Sequence, residues 1–200
     1  MTKIKLCGLS RECDIRIANE LQPEYIGVVF YKKSRRYVTP ERAAELRRLL
    51  DPSIQTVGVF VNEEPEIVAG LLGNAVIDIA QLHGAEDVSY VKKLRKLTDK
   101  PFIQAFRIRT AEDISNAEKS PADFILLDSG AGGTGTAFDW KLAGQVGRPY
   151  FLAGGLDAGN VAEAVKNLAP WAVDVSSGIE TEGLKDGEKM RLFVNAVRSV

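Results

Sequence analysis

Short runs of apolar and β-branched residues alternate along the chain with longer stretches in which apolar positions recur at helical spacing. Alternation of this kind predicts parallel strands joined by crossover helices, since parallel strands need a long connection that packs back on the sheet. Eight runs read as strands, over residues 3–7, 25–30, 56–61, 76–82, 102–106, 124–127, 150–153 and 172–175. Helical segments are expected to begin near Arg11, Pro40, Glu64, Glu86, Ala111, Asp139, Asp157 and Gly187. Thr39 ahead of Pro40 is a capping residue before a first-turn proline, and Ser10 and Asn62 are also residues of capping type.

The runs recur about every 24 residues, and the last four follow the first four at roughly 95 to 100 residues, as in a doubled half-barrel. Eight units imply closure. An open doubly wound sheet more often has five or six strands and a glycine fingerprint after the first, which Cys7-Gly8-Leu9-Ser10 is not. The expectation is therefore a single-domain α/β protein, a (β/α)8 TIM barrel of minimal length over residues 1–200. Side-chain alternation points Lys5 and Cys7, Gln81 and His83, Phe124, Leu126 and Asp128, and also Asp174, to the inside. Strands 1 and 8 become neighbours on closure, so Lys5 is expected to pair with Asp174 there.

Composition narrows the functional classes. The chain has 45% hydrophobic residues, enough for one packed core, and no linker-like stretch that would divide it. Its 26 basic and 27 acidic side chains give a formal charge of -1, without the basic excess expected of a nucleic-acid partner. Cys7 and Cys13 form neither a disulfide framework nor a metal-ligand pattern, so no metal is expected. Met1-Thr2-Lys3-Ile4-Lys5 lacks the apolar core of an export signal, and no run approaches a membrane span. A soluble, cytoplasmic protein is expected, with no membrane partner, a monomer by default and a dimer as the other option.

The chemistry gathers at the carboxyl ends of the predicted strands, where barrels carry their sites. Cys7 ends strand 1 and Asp128 ends strand 6. After strand 7 comes Gly154-Gly155, and after strand 8 Ser176-Ser177-Gly178; in barrels the loops at these two places frequently cradle a phosphate on backbone N–H groups. Ser129 to Thr136 holds four glycines in eight residues and suits a closing cover. The loop after strand 2, Tyr31-Lys32-Lys33-Ser34-Arg35-Arg36-Tyr37, is basic and faces the same mouth. His83, the one histidine, sits just past strand 4, and with Gln81 and Asp174 is a candidate substrate contact.

Taken together and in order, Lys5-Leu6-Cys7-Gly8, Phe30 to Tyr37, Gly58-Val59-Phe60-Val61-Asn62, Gln81-Leu82-His83-Gly84, Gly132-Gly133-Thr134-Gly135 with Phe138-Asp139-Trp140, Ala153-Gly154-Gly155-Leu156 and Asp174 to Glu180 resemble the phosphoribosylanthranilate isomerase family of tryptophan biosynthesis. Leu6 stands where that family often has isoleucine, and Arg35 where many members have proline. The resemblance implies an Amadori rearrangement of N-(5-phosphoribosyl)anthranilate to 1-(2-carboxyphenylamino)-1-deoxyribulose 5-phosphate, with no cofactor. It implies Asp128 as general acid and Cys7 as general base. Arg36 is expected to hold the substrate carboxylate through its planar fork, with Lys32, Lys33 and Arg35 solvated. Gly154, Gly155, Ser177 and Gly178 are expected to hold the phosphate. An unperturbed cysteine is protonated near neutrality, so Lys5 is expected to favour the Cys7 thiolate. Two other readings are a histidine-pathway aminoaldose isomerase, whose family has aspartate where this chain has Cys7, and a non-catalytic phosphosugar-binding barrel.

Overall fold

A computed structural model describes residues 1–128, 143–144 and 146–200. Eight parallel strands hydrogen-bond in sequence order and close on themselves, β8 pairing with β1. They are β1 (Lys3–Cys7), β2 (Tyr25–Val29), β3 (Gln55–Phe60), β4 (Ile79–Leu82), β5 (Phe102–Arg107), β6 (Phe124–Asp128), β7 (Tyr150–Ala153) and β8 (Ala172–Val175). The described helices are α1 (Glu12–Leu21), α2 (Pro40–Leu49), α3 (Pro65–Gly73), α4 (Val88–Leu97), α5 (Ala111–Glu118), α6 (Val161–Leu168) and α7 (Gly187–Arg198). None of them is long and apolar enough to cross a membrane. The expected (β/α)8 barrel is the observed architecture; the helix expected near Asp139 and the glycine-rich loop 129–136 lie outside the described residues.

Period-two alternation separates two apolar layers. Tyr25, Val57, Ile79, Ile103, Leu126, Phe151 and Ala172 fill the barrel, where the Phe151 ring lies 5.4 Å from that of Tyr25 and 5.8 Å from that of Phe124. Their strand neighbours Ile4, Leu6, Ile26, Ile125, Leu127 and Val173 face outward and pack with helix residues such as Ile15, Phe193 and Val197. A strand buried on both faces has no polar side, which is why these runs read as continuously apolar.

Lys5 interrupts that apolar interior. It is fully buried, and its Nζ donates to Asp174 Oδ1 at 2.9 Å across the β1–β8 seam, where the two residues are register partners. The expected pairing is present.

Three local expectations change. Residues 76–78 are not strand: the N–H groups of Val76 and Ile77 donate to the Leu71 carbonyl, so this stretch finishes α3 and β4 begins at Ile79. Ser10 is not the cap of α1; Arg11 is, because the Asp14 carboxylate reaches back from the first turn to accept from the Ser10 and Arg11 N–H groups at 3.1 and 3.0 Å. Asn62 is not the cap of α3 either, since Glu64 holds that position ahead of Pro65. Instead Asn62 takes a left-handed backbone, φ 52°, and its Oδ1 accepts the Ala85 N–H at 2.7 Å, tying the loops after β3 and β4 together.

Removing one partner of a buried ion pair strands the other charge, whereas replacing both with apolar groups of similar volume is nearly neutral. Lys5→Met is therefore expected to lose about 3 to 5 kcal/mol in urea unfolding, and Lys5→Met/Asp174→Leu to recover most of it. Simple additivity of the two single losses would refute the coupling.

Candidate active site

The carboxyl ends of the strands surround a cleft of about 520 Å³. Cys7, Arg36, Gln81, His83, Asp128, Asp174, Gly154, Gly155 and Ser177 all line it, so the structure brings together every predicted site residue but one. The exception is Gly178, just beyond Ser177, where a Cβ would overlap the Leu156 carbonyl oxygen. Glycine at 178 thus lets the turn after β8 close against the loop after β7. In that loop Gly154 and Gly155 both have positive φ, 87° and 67°, a conformation that glycine adopts without strain.

Cys7 closes β1 with Val29, Val59 and Tyr31 around it. Its Sγ occupies space made by Gly27, its register partner on β2, where a Cβ would lie 2.7 Å from the sulfur. Burial pushes the thiol above its ordinary value, and the Asp174 carboxylate adds to the rise, while Lys5 and Lys185 only partly oppose it. Lys5 favours the thiolate, as expected, but it does not outweigh burial and Asp174. Burial alone would lower the Lys5 ammonium, but Asp174 reverses this and holds it charged, so the cation beside the sulfur is already paired.

Asp128 ends β6, opposite Arg107 on β5 and Ala153 on β7, with its side chain a quarter exposed to the cleft. His83 Nε2 lies 3.5 Å from Asp128 Oδ2, and Gln81 Nε2 lies 2.8 Å from His83 Nδ1. A Gln81 amide donating to Nδ1 would put the imidazole proton on Nε2, the ring nitrogen nearer Asp128. Of the side chains expected as substrate contacts, Gln81 and His83 form a row with Asp128, the expected acid, while Asp174 pairs with Lys5.

In the basic loop Lys32 and Lys33 are exposed, as expected, while both arginines are paired. Arg36 Nε and Nη2 donate to Glu180 Oε1 and Oε2 at 2.6 and 2.8 Å, and Arg35 Nη2 donates to Oε2 at 3.0 Å. Arg35 was expected to be solvated; its exposed stem ends in an ion pair because Glu180 lies within reach of both arginines. The Lys185 ammonium completes the set, 2.6 Å from Glu180 Oε1 and 2.9 Å from the Ser176 carbonyl. Burial alone would raise the Glu180 carboxyl, but the hydrogen bonds and charges of Arg36 and Lys185 hold it at about 2.

Glu180, Lys185, Gly27 and Glu86 are the functional neighbours that sequence reasoning missed. Gly27 had a signal, a glycine inside an otherwise apolar strand, which marks a close approach. Lys185 had a weaker one: Glu182-Gly183 is a two-residue hairpin turn with both φ values positive, which sets Lys185 opposite Glu180. Glu86, expected to start a helix, is buried and accepts the Asn62 and Gly84 N–H groups, each at 2.7 Å. No local pattern announces that clamp.

Titratable side chains gathered on the carboxyl rim of a closed parallel barrel define the class, a (β/α)8-barrel enzyme. The family model described as N-(5'phosphoribosyl)anthranilate (PRA) isomerase matches residues 4–196, and the chain belongs to that family. It is 43% identical over the full length of both chains to the N-(5'-phosphoribosyl)anthranilate isomerase of Endomicrobium trichonymphae. Among solved structures it superposes on the phosphoribosyl anthranilate isomerase of Thermotoga maritima with a TM-score of 0.90 at 33% identity, each chain covered in full. It also superposes, with a TM-score of 0.88, 33% identity and full coverage of both chains, on a phosphoribosyl anthranilate isomerase in complex with reduced 1-(o-carboxyphenylamino)-1-deoxyribulose 5-phosphate.

Two measurements follow from these electrostatics. Iodoacetamide labelling followed by mass spectrometry is expected to modify exposed Cys13 at least ~10-fold faster than Cys7 near pH 7.5, since the thiolate is the reacting species. Equal rates would mean that burial does not hold Cys7 protonated. Glu180 sits below its ordinary carboxyl value, so its share of stability is present above the carboxylate range and is lost as pH falls toward 2. Glu180→Gln is accordingly expected to flatten the urea-stability profile between about pH 5 and pH 2, and an unchanged slope would discount these ion pairs.

Proposed function

We propose that the protein catalyses the Amadori rearrangement of N-(5'-phosphoribosyl)anthranilate to 1-(2-carboxyphenylamino)-1-deoxyribulose 5-phosphate, a step of tryptophan biosynthesis. What carries this reading is the placement of a thiol and a carboxyl, Cys7 and Asp128, on different strands of one cleft that also holds a guanidinium and small-residue loops. The reduced compound bound to the similar barrel carries a carboxylate, a secondary amine and a phosphate, and the cleft has groups of matching chemistry for the two anions.

The rearrangement needs one proton delivered and one removed. Asp128 as an acid protonates the ribose ring oxygen; the C1–O bond breaks and the amine lone pair forms a C1=N iminium. Cys7, having given its own proton to solvent, takes the proton from C2 as a thiolate, and the C2–H electrons flow into the iminium to leave an enolamine. Ketonisation of the C2 enol, with a proton added at C1, yields the aminoketose, so no electrons leave the substrate. His83 Nε2–H orients the Asp128 carboxyl, and the Gln81 amide fixes the His83 ring.

The resting thiol makes the base step the more demanding one. Lys5 and Lys185 both pull the Cys7 pKa down against burial, and they supply the charge that stabilises the thiolate when it forms. Arg36 receives the anthranilate carboxylate, and the backbone N–H groups of Gly154, Gly155, Ser177 and Gly178 receive the phosphate, with no lysine required.

Turnover of freshly made phosphoribosylanthranilate, followed by loss of anthranilate-type fluorescence, tests the assignment. Cys7→Ala and Asp128→Asn are each expected to lower kcat by ~10²-fold or more with little change in product-analogue affinity. Near-normal kcat in either variant would remove that residue from its role. Absence of turnover in the unmodified protein, with the analogue still bound, would favour the non-catalytic phosphosugar-binding barrel.

A further inference from the structure

One buried carboxylate at the cleft carries no step of this rearrangement. Glu180 is 8% exposed and follows directly on the turn Ser177–Ile179 that closes the loop after β8. Arg35, Arg36 and Lys185 all donate to its two oxygens. Lys185 is in turn anchored by the Ser176 carbonyl and hydroxyl, at 2.9 and 3.2 Å.

The geometry at Arg36 is directional. Its stem lies over Gly8, next in sequence to Cys7, with Cδ only 2.5 Å from where a Cβ at Gly8 would sit. Glu180 occupies one edge of the guanidinium, the side formed by Nε and Nη2. A guanidinium has a second edge able to take a carboxylate in two-pronged fashion, formed by Nη1 and the other Nη2 hydrogen. Three cations against one carboxylate also leave the cluster with net positive charge, so a second carboxylate is still attracted to it.

We propose that Glu180 is a positioning residue: by holding the Nε/Nη2 edge of Arg36 it turns the Nη1/Nη2 edge toward the substrate carboxylate. Through Lys185 and Ser176 it locks that orientation to the loop that faces the phosphate. This role rests on the assignment of Arg36 to the anthranilate carboxylate made above. It makes recognition of the two anionic ends of the substrate a joint property of the loops after β2 and β8.

Steady-state kinetics with phosphoribosylanthranilate, and with inorganic phosphate as a competitor, separate the possibilities. Glu180→Gln keeps the shape and removes the charge. Its KM is expected to rise ~10-fold, with kcat within ~3-fold and the phosphate inhibition constant within ~2-fold of the unmodified protein. Arg36→Ala is expected to raise KM at least as much, and adding Glu180→Gln to it should raise KM no further, because the carboxylate acts only through that arginine. An unchanged or lower KM in Glu180→Gln, equal further rises in both backgrounds, or parallel loss of phosphate inhibition would each overturn the positioning role. An unchanged KM in Arg36→Ala would instead bring down the carboxylate assignment and this proposal with it. Should Glu180→Gln fail to fold, Glu180→Asp retains the charge on a stem one methylene shorter; a KM rise of ~3-fold is then expected, and no rise overturns the proposal.

Discussion

The seam between β1 and β8 is the constraint on which the rest of the molecule depends. A parallel sheet leaves two edges of unpaired backbone groups, and closing it removes both at once. The register across this seam, Lys3 with Ala172 through Leu6 with Val175, sets Lys5 against Asp174 and Cys7 one pleat above them at the rim. A lysine in the interior is tolerable only with a partner of opposite charge, and Asp174 supplies it from the last strand of the barrel. The first and last strands are thereby held in one relative position by both a backbone ladder and a side-chain pair.

The same pair governs the chemistry above it. Cys7 lies in an apolar setting of Val29, Val59 and Tyr31, and burial of a thiol favours its neutral form. A bare ammonium beside it would reverse this, but the Lys5 charge is largely answered by Asp174. Burial and the Asp174 carboxylate consequently push the sulfur toward its neutral form, against the opposing charges of Lys5 and Lys185. Stability and thiol ionisation are coupled here, since the pair that ties the first strand to the last also bears on how easily Cys7 loses its proton.

Glu180 solves a different problem, that of joining two loops that leave the barrel on different strands. The loop after β2 is rich in lysine and arginine and would otherwise repel itself; the segment after β8 carries the small residues Ser176, Ser177 and Gly178 ahead of Glu180. A single carboxylate between them collects two arginines and a lysine, and a hairpin with a two-residue turn holds that lysine in place. The resulting wall of the cleft is electropositive and tied together by these ion pairs.

Much of this was legible in the chain itself. Strand and helix periodicity is a local property, so the eight strands, the inward direction of Lys5, Cys7, Asp128 and Asp174, and the gathering of small residues after β7 and β8 could all be read from spacing. Closure then made the Lys5–Asp174 contact a necessity of counting strands. What sequence could not supply were contacts between segments far apart in the chain, whose donors and acceptors compete for one another. Asp14 displaced Ser10 as the cap organiser because its carboxylate reaches two N–H groups at once, and Asn62 was recruited by Ala85 across the rim. Arg36 met Glu180, 144 positions away, and Cys7 was pushed toward its neutral form by the balance of its burial and three surrounding charges. Periodicity along one segment decides which way a side chain points, but its charge state and its partner depend on what every other segment brings to the same few ångströms, and that exists only once the barrel has closed.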